Sequence, residues 1–308
     1  MNGVSLSVNP DGGGNDMDLH ALRIFKAIVD EGGVARAAER LHCVQSNVST
    51  RLAQFEKRLD VKLFHRTGNK LVITQDGVRL LGYAERLLRL ADEAEHAVMT
   101  KGIPVGMLRI ASMETTAALR LPPILADFHA RHPQVDLDLF TGPTSAVIDQ
   151  VLDGRRDVGL VAGPITADGL NHVEFCEEEL VLITELRHPP VSTPVDVQNQ
   201  TILAFRAGCA YRTRLERWFE KAGVKPKCVI EVGGFETIVA CVAAGMGVSM
   251  MPAALLIKRN LLSSVRMHPV PPRIGRTKTV FVWRSDAGEH GARDAFIDTA
   301  SRLVAGVE

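Results

Sequence analysis

Apolar residues recur at helical spacing three times within the first sixty positions. Leu19, Leu22, Phe25, Ile28 and Val29 make one face, which ends at Gly32-Gly33. Ala37, Ala38 and Leu41 make a short second run. Val48, Leu52, Phe55 and Leu59 make a third, beginning near Gln45 after a break at His42–Val44. A short helix, a tight turn and a second helix backed by a first is the helix-turn-helix pattern. The outward side of the third helix is Gln45, Ser46, Asn47, Ser49, Thr50, Arg51 and Gln54. Amides, hydroxyls and a guanidinium are the groups that reach base edges and phosphates in a major groove. Two apolar pieces, Leu63-Phe64 and Leu71–Ile73, flank turn chemistry at His65–Lys70. They predict a hairpin wing, with Arg66 and Lys70 placed for phosphates.

Further along, Thr74 is placed to cap a helix running to about Thr100. Leu80, Ala84, Leu87, Ala91, Ala94 and Val98 repeat at spacings of four and three, a heptad seam, and Leu81 and Leu88 add a second stripe. So much apolar surface beside a small domain predicts a homodimer through this helix. The stretch Gly102–Gly106 breaks it. From Leu108 onward strand-like runs alternate with helical ones, which predicts βαβ units and a parallel sheet. Two α/β halves linked at Ala162-Gly163-Pro164 and again near Pro269–Pro272 would make hinged lobes with a cleft. The expected organisation is a disordered extension at 1–16, a winged helix-turn-helix at 17–74 and a dimerisation helix at 75–101. Lobe I comprises 107–163 and 270–308, and lobe II comprises 164–269.

Charge changes the picture only locally. The 308-residue chain carries 36 cations and 36 anions. Between Gln45 and Lys70, however, Arg51, Lys57, Arg58, Lys62, Arg66 and Lys70 face only Glu56 and Asp60, a basic surface suited to nucleic acid. The five cysteines are scattered without CxxC spacing, which suits reduced thiols better than disulfides or zinc. The histidines show no metal-ligand clustering, and no GxSxG, HExxH, P-loop or GxGxxG motif occurs in a supporting context. No enzyme activity, metal or cofactor is therefore expected. With no run long enough to span a bilayer and no signal pattern, the expected location is the cytoplasm, without a membrane partner.

In this order, the chain resembles the LysR-type transcriptional regulators from Met17 onward. The resemblance is carried by RAAERLHCVQSNVSTRLAQFEKRLDVKLFHR, ITQDG, GMLRIAS, LPPILADFHARHPQVDLDLF, DGRRDVGLVAGP and VAAGMGVSMMP. It implies a multidomain α/β protein: a winged helix-turn-helix, a long linker helix and a two-lobed effector domain of the periplasmic-binding-protein type. It also implies a homodimer or homotetramer that binds double-stranded promoter DNA, works with RNA polymerase and activates or represses according to a small molecule. Val44 and Ala35 depart from the family, which usually has Ser or Thr at both places.

By the same resemblance, the effector cleft is lined at the C-terminal ends of strands, as in open α/β sheets generally. The candidates are Ser112, Glu114, Thr115 and Thr116; Thr141 and Thr144; Phe205, Arg206, Cys209 and Tyr211; and Gly234, Phe235 and Glu236. Hydroxyls at helix starts, with Arg206 or Arg212 as a charged clamp, favour a small anionic metabolite, while Glu114 and Glu236 point toward a cation or amine. Cys209, near Arg206 and Arg212, leaves open a thiol-based redox response. A different class of reading is a soluble small-molecule binding protein or enzyme without a DNA function.

Overall fold

In the computed structural model, which describes residues 18–68, 70–99 and 103–305, Asp18 opens the first helix. Its carboxylate accepts from the His20 amide at 2.8 Å. Helix α1 (Leu19–Glu31) ends at Gly32, whose φ of 66° suits a residue without a Cβ. Helices α2 (Val34–Arg40) and α3 (Gln45–Leu59) pack on it through Leu22, Phe25, Ile28, Ala37, Val48 and Phe55. Strands β1 (Phe64–Thr67) and β2 (Lys70–Ile73) pair antiparallel, from Phe64 opposite Ile73 to Thr67 opposite Lys70. Helix α4 (Gln75–Met99) follows. The Thr74 hydroxyl accepts from the Gly77 amide at 3.0 Å and donates to the Lys62 carbonyl at 2.7 Å, which caps α4 and ties it to the wing. The extension expected at 1–16 lies outside the described residues, as do the side chains of Lys70 and Val98.

The seam on α4 differs from its expectation. Ala84 is buried with Leu88 in the core of its own unit, and Leu80 and Leu87 pack against that core. A helix long enough to cross its domain spends one stripe on it. The large apolar side chains that α4 leaves exposed are Val78, Tyr83 and Leu90, the last two at 63% and 61%.

The chain divides into two compact units, at Glu95 and His96. The second opens with β3 (Gly106–Ser112), α5 (Glu114–Leu119), α6 (Leu121–Arg131), β4 (Val135–Thr141), α7 (Thr144–Leu152) and β5 (Val158–Ala162). A long strand, β6 (Leu170–Glu185), precedes β7 (Thr201–Ala204), α8 (Ala210–Lys221), β8 (Cys228–Glu231), α9 (Phe235–Ala243), β9 (Ser249–Pro252), α10 (Ala253–Lys258) and β10 (Val265–Pro269). The chain returns through α11 (Pro272–Gly275), β11 (Arg276–Arg284) and α12 (Gly291–Ala305).

Strands β4, β3 and β5 are parallel, as the alternation predicts. Beyond them the sheet is mixed: β11 runs antiparallel to β5 and to β6. One of these strands carries the chain out of the first lobe and the other brings it back, so they must run in opposite directions. Residues Leu170–Glu179 of β6 still pair with β11, while Leu180–Glu185 pair with β9 and β10 in the second lobe. The outward crossing therefore falls inside β6 and not at Ala162-Gly163-Pro164, which places the start of the second lobe later than residue 164.

Core packing follows the same division. Leu108, Ile110, Phe128, Phe281 and Phe296 fill one face of the first sheet, and Ala111, Val147, Val151 and Val282 the other. The second lobe is built on Leu182, Leu203, Phe219, Val242 and Met251.

Candidate functional site

Two separate surfaces carry chemistry, one in each unit. In the first, α3 exposes Gln45, Ser46, Asn47, Ser49, Thr50, Arg51 and Gln54, while Val48 and Phe55 anchor its inner side. Val44, at the N-cap, supplies no side-chain hydrogen bond to the helix and is 68% exposed. The departure seen in the sequence is thus a gap in capping: among the described residues no side chain accepts from the first-turn amides. Arg66 is exposed on β1, opposite Leu71. Glu56, counted in the sequence as one of two local anions, does something else. It is buried, its Oε1 accepts from the Leu63 and Phe64 amides at 2.8 and 3.3 Å, and its Oε2 meets Lys62 Nζ at 2.7 Å. It pins the base of the wing to the reading helix. A lone acid at helix position i with two apolar residues seven and eight later was the only sequence signal.

In the second unit a cavity of about 390 Å³ opens between the lobes. Of the sequence candidates it brings together Glu114, Thr115, Thr141, Phe205, Arg206, Cys209, Tyr211 and Gly234. Met113, Gly142, Pro143, Val232 and Gly233 complete the lining. Of these, Val232 was read only as the end of a strand, and its place at the C-terminal edge of β8 was the available cue. Five candidates lie elsewhere. Ser112 is fully buried and donates to the Met113 carbonyl, Thr116 is buried, and Phe235 is in the second lobe's core. Glu236 is exposed outside the lining. Thr144 instead joins the lobes: its hydroxyl accepts from the Ala210 amide at 3.3 Å and contacts Met113 Sδ at 3.3 Å. Beside it the Ser145 amide donates to the Gly208 carbonyl at 3.1 Å. The first amides of α7 and α8 are thereby partly spent on each other's lobe, and less of either helix end is left for an anion.

Behind the cavity lies a buried polar cluster. Arg120 Nε donates to Glu178 Oε1 at 3.0 Å, and the Cys176 thiol lies 3.5 Å from the same oxygen. Burial, reinforced by Glu178, pushes the Cys176 thiol up to about 12. Tyr211 is 1% exposed, and burial raises its phenol above the usual range. Tyr211, which lines the cleft beside Thr115 and feels the charge of Glu178, connects this cluster to the cleft. Cys209 occupies the N-cap position of α8 without a side-chain cap hydrogen bond, and its burial raises the thiol pKa. A reactive cysteine needs the opposite: access and a lowered pKa. The redox alternative therefore loses its basis at this residue. Among the described residues no group of three or more His, Cys, Asp or Glu could hold a metal, and no helix is long and apolar enough to cross a membrane.

Geometry of this kind, a reading helix with a wing followed by a two-lobed α/β domain with a cleft, defines a ligand-responsive DNA-binding protein. Comparison with known proteins agrees. Residues 19–78 match the family model described as a bacterial regulatory helix-turn-helix protein of the lysR family, and residues 101–305 match the LysR substrate binding domain. The chain belongs to the LysR family of DNA-binding transcriptional regulators and is not an enzyme. It is 37% identical over 281 residues to the HTH-type transcriptional regulator GltR of Bacillus subtilis, covering 91% of this chain and 95% of that one. YofA of the same organism is 36% identical over 287 residues, covering 93% and 99%. Among solved structures, a full-length OxyR variant from Pseudomonas aeruginosa superposes with a TM-score of 0.70 at 20% identity, covering 92% of this chain and 95% of that one. Full-length CbnR complexed with its target DNA gives 0.66 at 21%, covering 93% and 99%. These last two likenesses bear on the fold.

Proposed function

We propose that this regulator reads promoter DNA with α3 in the major groove and its wing on the adjacent backbone, and that a small polar molecule held between the lobes sets its activity. The observation that carries the first half is the exposed row from Gln45 to Gln54 beside a cation-rich wing. CbnR, of the same fold, is seen on its target DNA. The cavity at the strand ends carries the second half, since pockets of roughly 300–1,000 Å³ suit small molecules. Self-association is assigned to α4, through the stripe that its own unit leaves open, Tyr83, Leu90 and Ala94; Leu80, Ala84 and Leu87 serve the monomer. A homodimer or homotetramer would present paired reading helices to a site with two halves. Contact with RNA polymerase and a cytoplasmic location follow from that role.

The test is selection of binding sites from random duplex DNA with the full chain, followed by anisotropy titration of the winning site. A Gln45→Ala, Arg51→Ala double change should cost about 2–6 kcal/mol of specific affinity. Unchanged affinity would remove α3 from the groove.

A further inference from the structure

Two charged groups face the cleft without a salt bridge among the described residues, and they are of opposite sign. Arg206 Nη2 lies 3.4 Å from the position a Cβ on Gly233 would take, and Glu114 Oε1 lies 3.4 Å from the corresponding position on Gly234. Gly233 and Gly234 are consecutive, so the guanidinium and the carboxylate approach the cavity wall one residue step apart, about 3.8 Å along the backbone. Of the charged groups around them, Arg212 pairs with Glu216 at 2.8 Å and Glu231 at 3.0 Å, and Arg120 pairs with Glu178 at 3.0 Å. Glu236 is exposed and outside the lining, so the lining itself presents one cation and one anion. Gly234 itself holds a φ of 89°, which keeps a side chain from coming between Glu114 and the cavity.

Resting on the effector reading above, we propose that the ligand is a zwitterion of the α-amino acid class, with its carboxylate on Arg206 and its ammonium on Glu114. A simple anion would satisfy Arg206 and leave Glu114 facing a like charge. A simple amine would do the reverse. Only a molecule carrying both groups matches both charges of the lining, the exposed guanidinium of Arg206 and the half-buried carboxylate of Glu114. The remaining chemistry fits a small molecule with an apolar part: hydroxyls of Thr115 and Thr141, the buried hydroxyl of Tyr211, and apolar surface from Met113, Phe205 and Val232.

The experiment is calorimetric titration of the full chain with the protein amino acids, each beside its deaminated acid and its decarboxylated amine, with neutral sugars and nucleosides in the same panel. At least one amino acid should bind about tenfold or more tightly than either of its truncated analogues. Glu114→Gln should weaken that amino acid by about tenfold and leave the deaminated acid within about twofold, whereas Arg206→Gln should weaken both. An acid that binds as tightly as its amino acid, or an equal loss of both in Glu114→Gln, overturns the zwitterion and leaves the effector cleft standing if Arg206→Gln still abolishes binding. Binding confined to sugars or nucleosides does the same. Silence across the whole panel overturns both readings.

Discussion

At Val44 an apolar side chain stands where the reading helix needs an acceptor. Val44→Thr should add a cap hydrogen bond and stabilise the DNA-binding unit by about 1 kcal/mol, seen as a higher midpoint for its transition in calorimetric melting. The same hydroxyl would lie beside the phosphates, so DNA affinity should rise too. Glu56 makes the opposite case. Glu56→Ala leaves the Leu63 and Phe64 amides buried without an acceptor, which costs about 1–3 kcal/mol each, and the melting midpoint of the unit should drop accordingly. His268 supplies a pH test. Its Nδ1 accepts from the Val191 amide at 3.1 Å, so Nε2 holds the proton and donates to Thr184 Oγ1 at 2.9 Å. Burial first, then Arg266 and His188, depress its pKa below that of the unfolded chain. Stability is therefore full above about pH 6.5 and falls as the pH drops through the folded pKa, because the unfolded chain takes the proton more readily. Urea unfolding from pH 8 to 5 should show this slope, and His268→Asn should flatten it. Val44 was legible in the sequence because a cap is a local requirement. Glu56 and His268 were not, since their partners lie six to eight residues away for the first and 77 and 84 for the second.

Helices and strands were read well where one face meets one core, and less well where an element serves two masters. The three helices of the first unit and the parallel trio of strands follow their patterns because each buries a single stripe. In α4 the stripe of Leu80, Ala84 and Leu87 was real, but spacing alone does not say which surface it meets. The structure spends that stripe on the unit's own core, and mutation can test the proposed role of the exposed one. Ala84→Asp should unfold the unit, a loss of helical signal. Tyr83→Lys with Leu90→Lys should leave the fold intact and shift sedimentation toward the monomer. If the double variant stays a dimer, the exposed stripe is not where copies meet. In β6 the apolar run Leu180–Thr184 was visible, while the polar half, Leu170–Glu179, was not read as strand. Several of its side chains are polar and pair across to β11, as Glu174 does with Lys278 at 2.6 Å, and Phe175 is its buried apolar contribution to the first lobe's core.

Across the whole effector unit, the lobes meet at a point where no side chain fits. A Cβ at Gly208 would collide with the Ser145 hydroxyl, and φ there is 84°. Gly208→Val should hold the lobes apart, and the Ser145 amide, which now donates to the Gly208 carbonyl, should lose its protection from hydrogen exchange. One turn further along α8, the Arg214 guanidinium donates to the carbonyls of Gly163, Ile274 and Arg276 and to the Thr277 hydroxyl at 2.9–3.2 Å. The helix whose first turn lines the cleft is therefore fastened to the end of β5 and to the returning segment at Ile274–Thr277. A single strand, β6, is shared by both sheets, its first half zipped to β11 and its second to β9 and β10. A sheet cannot be unzipped on one side of such a strand without fraying the other. The two lobes, though each has its own core, are in that respect one cooperative object: they should melt in one step, and a core mutation in either should lower the same transition.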